Sequence, residues 1–324
     1  MTTCIPSEIT TPNSIDTRLG TLKFTDGFPD DSTITKVYDN LDFSRGVQVF
    51  LTAMPGASVA AMREGLHKLG AVDGNVAIFE TLMDAKSLWL TANSESIYAS
   101  TWLDLKNGPI VVESPPNSLG LVDDFWFRYV TDLGNVGPDK GKGGKFLFLP
   151  PDYTGKVPEG YFVFKSSTYG NWFLIRGFKV NGDPKPAVES LKKNLRIYLL
   201  SKAANPPVTK FINVSGNEHN TIHANDFTFF EEVNQIVQEE PNAALDPETL
   251  GLLASIGIEK GKPFKPDARQ TGLLTEAALV GEAMARANAY QKRFVNAAIW
   301  PDRRWEISLG FEPGAEPEFS APLD

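Results

Sequence analysis

The sequence has one cysteine, Cys4, only three histidines, and no apolar run near the length of a membrane span. A single thiol excludes an internal disulfide and the zinc sites that need several thiolates. A helical bilayer crossing takes roughly 18 or more consecutive apolar residues, so no membrane partner is expected. Positive charge is short: 31 Lys and Arg stand against 40 Asp and Glu, for a net charge of −9. Nucleic acid is held by Lys and Arg that neutralise phosphates, so no nucleic-acid partner is expected either. The opening octet Met1–Glu8 has neither a basic stretch nor an apolar core. That predicts no secretory signal and makes the cytoplasm the expected compartment of this acidic chain. The sequon Asn213-Val214-Ser215 then carries no weight.

What is present is ordinary globular composition. Hydrophobic residues make up 42% and charged residues 22% of 324, enough to fill a sizeable core and too apolar for disorder. Residues 1–31 are polar and turn-rich. Ser32 is placed to cap a helix through Ile34, Val37 and Leu41, extended by Val47, Phe50, Leu51 and Met54. Pro55-Gly56 is expected to break it, and a second helix runs through Val59, Met62, Leu66 and Leu69 to a left-handed stop at Gly70. From 76 to 182 the pattern changes to short β-rich runs. Ser96–Leu105 alternates, with Ile97, Ala99, Leu103 and Leu105 on one face and Tyr98 and Trp102 on the other. Further runs are Ile110–Val112, Phe125–Val130, Phe146–Leu149, Tyr161–Phe164 and Trp172–Val180, separated by Pro, Gly and Asn turn clusters. Many short strands at close spacing predict an antiparallel sandwich or barrel. Helices return after Asp183-Pro184, after Asn225 or Asp226, after Asp246-Pro247 and over about 267–295. In the last, Leu273, Ala277, Val280, Met284 and Ala287 form a seam. Four regions follow: an N-terminal arm with helices over 1–75, a β-sandwich over 76–205, a helical region over 206–300 and a tail over 301–324.

Seven segments, in order over roughly 15–310, add a resemblance. They are Thr17–Leu22, Tyr38–Phe43, Ala60–Gly65, Thr91–Tyr98, Gly137–Lys145, Thr221–Phe227 and Ile258–Phe264. The chain resembles proteins of the domain of unknown function 1254 family, usually followed by a second module, domain of unknown function 1214. The resemblance implies a jelly-roll-like β-sandwich with helical insertions, hence an α+β fold with helical segments at both ends. Pro301–Glu306 resembles the point where the second module normally begins. The polar stretch from Glu312 suggests that this module is truncated or missing.

Candidate chemistry is sparse. Gly137–Lys145 holds four glycines and three lysines, which suits anion binding by backbone N–H groups with Lys140 and Lys142 beside them. It is not a P-loop, because the spacing is wrong and a strand follows. The plain alternative is a hairpin loop. His219 and His223 are four apart, but the Asn-rich surroundings read as a loop into a helix cap, so no metal and no cofactor is expected. His223 with Asp226 is the preferred catalytic pair, an oriented general base; its structural alternative is hydrogen bonding at the helix entry. Ser190-Leu191-Lys192-Lys193 matches a hydrolase motif, but its Ser and Lys lie off the apolar stripe. Asp123, Asp124 and Asp132 flank Trp126, Arg128 and Tyr129. Alternation sets Trp126 and Arg128 on one strand face, where a carboxylate and an aromatic suit a polar ligand.

The function expected is a small-molecule-binding or hydrolase-like protein with a pocket at the loop end of the sandwich. Its candidate ligand contacts are Lys140, Lys142, Trp126 and Arg128. The alternative is a non-enzymatic interaction or scaffold protein. A small-molecule ligand and a second copy of the chain are the partners the sequence admits.

Overall fold

The computed structural model describes residues 6, 9–10, 12–72, 74–89, 93–291 and 297–306. Cys4, Thr91 and Ala92 of the Thr91–Tyr98 segment, the last residues of the expected 267–295 helix and the tail beyond Glu306 lie outside them.

The N-terminal arm, polar and turn-rich in sequence, contains short strands. It folds as strands β1 (Ser14–Thr17), β2 (Gly20–Thr25) and β3 (Phe28–Pro29). Asp26 and Gly27 both take positive φ at the β2–β3 turn, the primed-turn chemistry of a tight hairpin. Helix α1 (Asp31–Lys68) follows, capped by Asp30, whose Oδ1 accepts from Thr33 N at 2.7 Å. The cap is therefore Asp30 and not Ser32. The helix runs unbroken through Pro55, where the sequence predicted two helices. An interior proline costs about 3 kcal/mol. Burial of the turns around it, including Ala53, Ala57 and Val59, offsets that cost. Gly70, with φ +86°, follows the helix as expected.

Strands β4 (Val76–Ile78), β5 (Ser87–Leu88), β6 (Ser96–Asp104), β7 (Ile110–Ser114), β8 (Ser118–Asp124), β9 (Tyr129–Gly134), β10 (Gly144–Leu149), β11 (Phe162–Lys165) and β12 (Gly170–Phe178) occupy the centre of the chain. Then come α2 (Lys185–Asn194), β13 (Arg196–Leu199), β14 (Phe211–Asn213), β15 (His219–Asn220), α3 (Thr228–Glu239), α4 (Pro247–Ser255) and α5 (Ala268–Tyr290). The larger sheets are six-stranded, in order β14-β4-β6-β12-β8-β9, and four-stranded, in order β11-β10-β7-β13. Pairing is antiparallel except for β14–β4, β10–β11 and β15–β5. The fold is thus α+β with mostly antiparallel sheets.

Two apolar layers hold these parts together. Ile97, Phe173 and Ile175 of the six-stranded sheet share one cluster with Val112, Phe146 and Phe148 of the four-stranded sheet, and α2 adds Val188 and Leu191. On the opposite face, Tyr98 and Trp172 join Phe50, Val59 and Leu66 of α1 with Phe229, Phe230 and Ile236 of α3. The alternation in β6 therefore divides its side chains between the two layers as the sequence predicted. Both faces are buried because the helices cover the second one.

Two expectations change. Of the run 125–130 only Tyr129 and Val130 are strand, at the start of β9; residues 125–128 make the β8–β9 turn. Asp124 Oδ1 accepts from Trp126 N and Arg128 N at 2.8 and 3.0 Å, and Phe127 takes φ +61°. In α5 the buried residues are Leu274, Ala277, Ala278 and Gly281, while Met284 is exposed. The seam is rotated from the predicted one because close approach to α1 needs small residues. A Cβ on Gly46 would lie 2.8 Å from Ala277, and one on Gly281 would lie 2.6 Å from Phe50. The two helices run parallel, with Arg269 at their start bridging Asp39 and Asp42.

Candidate functional site

The glycine-rich loop encloses an anion of its own. Asp139 is buried, and its carboxylate accepts from Gly134 N at 2.8 Å and Gly143 N at 3.1 Å. Gly143 N, a donor of the loop that suited a bound anion, is thereby occupied, as is Gly134 N just ahead of the loop. Lys140 and Lys142 are exposed around this knot.

The structure does not hydrogen-bond His223 to Asp226. His223 Nδ1 meets the Ala224 carbonyl at 2.7 Å, and its ring sits edge-on to Phe50 and Phe229. Asp226 is exposed and accepts from Thr228 N at 2.8 Å, at the entry to α3. His219 is buried elsewhere, against Phe79, and Trp89 Nε1 donates to its Nε2 at 2.6 Å. Indole is only a donor, so this bond fixes Nε2 as an acceptor in a neutral ring. Burial pulls the pKa of His219 down. The two histidines thus lie in different aromatic surroundings. Among the described residues, no group of three His, Cys, Asp or Glu side chains is placed to hold a metal ion.

Trp126 and Arg128 do come together, at a cleft of about 170 Å³ between α1 and α4. Trp126 is buried, while Arg128 is exposed and ion-paired to Asp124 at 2.7 Å. Nearby, burial pushes the Asp123 carboxyl up to about 7, helped by the charges of Asp124 and Asp132.

A larger cleft, about 570 Å³, opens where β6 and β13 end and α1 stops. Arg63, His67, Trp102, Asp104, Tyr198 and Lys202 line it. Its inner wall is tightly built. Arg63 is buried, with its guanidinium over the rings of Trp102 and Phe125 at 5.5 and 4.7 Å. Two nitrogens of Arg63 donate to the two oxygens of Glu239 at 2.5 and 3.3 Å. Burial pushes the Glu239 carboxyl up, but Arg63, joined by Gln235 and Lys106, pulls it down, and the net shift is downward. The next residue, Glu240, is buried and accepts from Tyr169 N and Gly170 N at 2.6 and 2.9 Å. Lys260 closes the end of α3 by donating to the carbonyls of Gln238 and Glu240, each at 2.7 Å. Gly170 is needed here, since a Cβ on it would lie 2.3 Å from Trp102 Cζ2. Tyr198 carries its hydroxyl to Glu113 at 2.6 Å, which with burial raises its pKa.

None of these residues was singled out from the sequence as a site. One signal was available. Arg63 falls on the apolar stripe of its helix, between Val59 and Leu66, where a charge has to have a partner.

Most of the residues lining this cleft fall between Gly74 and Leu199, and that region decides the comparison. Residues 74–199 match the family model described as protein of unknown function (DUF1254). The match bears out the resemblance read from the sequence, and it contains Trp102, Asp104 and Tyr198. Arg63 and Lys202 reach the cleft from outside the DUF1254 region. The VPA0106 protein from Vibrio parahaemolyticus, a crystal structure, has a similar fold: TM-score 0.51, 21% identity, 75% of this chain and 59% of that chain covered. An uncharacterised protein from Burkholderia cenocepacia aligns at TM-score 0.26 and 13% identity, over 80% of this chain and 61% of that one. The chain spans less than two thirds of the length of either. No curated protein matches it. No helix among the described residues is long and apolar enough to cross a membrane.

Proposed function

We propose that the protein binds a small organic anion with a flat apolar body in the cleft between β6, β13 and the end of α1. One observation carries this reading: a 570 Å³ cleft in which the aromatic side chains Trp102 and Tyr198 meet the basic side chains His67 and Lys202. A cleft of this size falls in the usual range for ligand pockets, with an apolar wall and few polar groups. Arg63 is held by Glu239 and keeps Trp102 in place, so the anion is left to His67 and Lys202. The cleft sits at a loop end of the two larger sheets. We read those sheets as a jelly-roll-like sandwich, supported by the apolar layer they share. Titration calorimetry with a panel of aromatic carboxylates tests the proposal. Binding should weaken at least tenfold in Lys202→Glu, an exposed position. Binding unaffected by that change would overturn it.

A second reading, proton transfer in a hydrolytic reaction, is favoured by Asp123, whose carboxyl is raised to about 7. A carboxyl poised near neutrality suits general acid work. Ester or glycoside cleavage that is lost in Asp123→Asn, with the fold intact, would support it; unchanged cleavage would refute it.

A further inference from the structure

The first third of α1 carries an apolar stripe that the described chain leaves partly exposed. Ile34, Val37, Tyr38 and Leu41 follow at spacings of three, four and seven, and they are 37%, 36%, 57% and 39% exposed. At about 100° per residue these four lie on one narrow face. The neighbouring faces are occupied. On one side β2 holds the helix, where Lys23 N donates to Thr33 Oγ1 at 2.8 Å and Lys36 Nζ to the Thr21 carbonyl at 3.1 Å. On the other side α5 holds it through Arg269, Asp39 and Asp42. The stripe points away from both.

Its flanking charges indicate what covers it. Asp31 and Arg45 lie on the same side of the stripe and almost symmetrically about its midpoint, between Val37 and Tyr38. Neither side chain has an ion pair among the described residues. A two-fold axis through that midpoint sets two such helices antiparallel, because residues equidistant from it come together. The same operation carries each Asp31 to the height of the other copy's Arg45. The stripe is thus complementary to itself in both apolar pattern and charge.

We propose that this face is the interface of a two-fold homodimer. Ile34, Val37, Tyr38 and Leu41 of one copy pack antiparallel on the same residues of a second, and Asp31 faces the partner's Arg45. The patch is smaller than the roughly 800 Å² per partner of a standard stable interface, so association depends on concentration.

Sedimentation velocity on the full chain, across a hundredfold range of concentration, tests this. The expected result is a monomer–dimer equilibrium that Val37→Asp weakens by at least tenfold. Asp31→Arg and Arg45→Asp should each weaken association several-fold, and the two together should restore it, because the swapped pair is again complementary. Circular dichroism checks that each variant keeps its helix content. A chain that stays monomeric throughout overturns the proposal and leaves the stripe to a different partner. A dimer indifferent to Val37→Asp also overturns it, as does failure of the double charge swap to restore what the single swaps lose.

Discussion

Gly170→Ala sets two effects of opposite sign against each other at the wall of the cleft. The φ of Gly170 is not in the left-handed region, so alanine is sterically allowed by the backbone. Fewer unfolded conformations would then stabilise the protein by about 0.4–1 kcal/mol. The added Cβ, however, meets Trp102 Cζ2 at 2.3 Å, Phe125 Cδ1 at 3.0 Å and Glu240 Oε1 at 3.1 Å. None of these yields easily. Phe125 is 0% exposed and Glu240 2%, and the carboxylate of Glu240 is tied to two backbone N–H groups. The indole must therefore move, and Arg63 lies over it. Overpacking of this kind costs about 1–3 kcal/mol or more, which exceeds the entropic gain. The net loss expected is about 1–2 kcal/mol, a fall of roughly 1.5–3 °C in Tm for a chain of this size. Urea unfolding of Gly170→Ala, Trp102→Leu and the double variant measures it. The double variant should be more stable than the sum of the singles implies, because leucine vacates the space the methyl needs. Additive losses, or a Gly170→Ala protein more stable than the parent, would refute the steric argument.

Arg63→Met should destabilise by about 3 kcal/mol, since it leaves Glu239 half-buried without its partner. Adding Glu239→Gln should recover part of that loss in the same unfolding assay. For Asp123 the sign follows from a carboxyl raised from 3.8 to about 7: its contribution is fully present below pH 3.8 and is lost as pH rises towards and through 7. Asp123→Asn should therefore stabilise the protein more at pH 8 than at pH 5, and equal effects in urea melts at the two pH values would count against the shift. His223→Ala should lower stability by about 1 kcal/mol through lost contacts with Phe50 and Phe229, leaving ligand affinity at the cleft unchanged. A calorimetric loss of binding at unchanged stability would reinstate His223 as a site residue.

Legibility from sequence followed the range of the physics involved. Period-two alternation is local, so the β6 faces were readable; that both are buried depends on helices far away in sequence. The turn at 125–128 was misread as strand because Phe125, Trp126 and Phe127 look β-rich. What bends the chain is the carboxylate of Asp124, which gathers the backbone N–H groups of Trp126 and Arg128. Pro55 was read as a breaker because its cost is local and the burial that offsets it is not. In the same way, the glycine-rich loop displayed its donors and lysines in the sequence, while the role of Asp139 as internal acceptor depended on the fold. The cleft was the least legible part. Trp102 and Lys202 belong to no motif, Arg63 lies in a segment that carried the family resemblance but no chemistry, and the three meet only because α1 ends over the end of β6.

The strand order of the six-stranded sheet also bears on how the chain acquires its structure during synthesis. β12 lies between β6 and β8, and both are made well before it. Until Phe178 has emerged, β6 and β8 face a gap one strand wide, each with unpaired N–H and C=O groups and apolar side chains on both faces. Such edges are templates for unwanted pairing, and non-local closure of this kind is slow. α3, which completes the helical layer, is synthesised later still. The nascent chain therefore carries α1 with an uncovered apolar face through most of its translation. Insertion of β12 is the step at which the sheet becomes continuous. Substitutions that weaken β12, such as Phe173→Ala, should lower the yield of native protein in coupled translation more than they lower the stability of the finished fold.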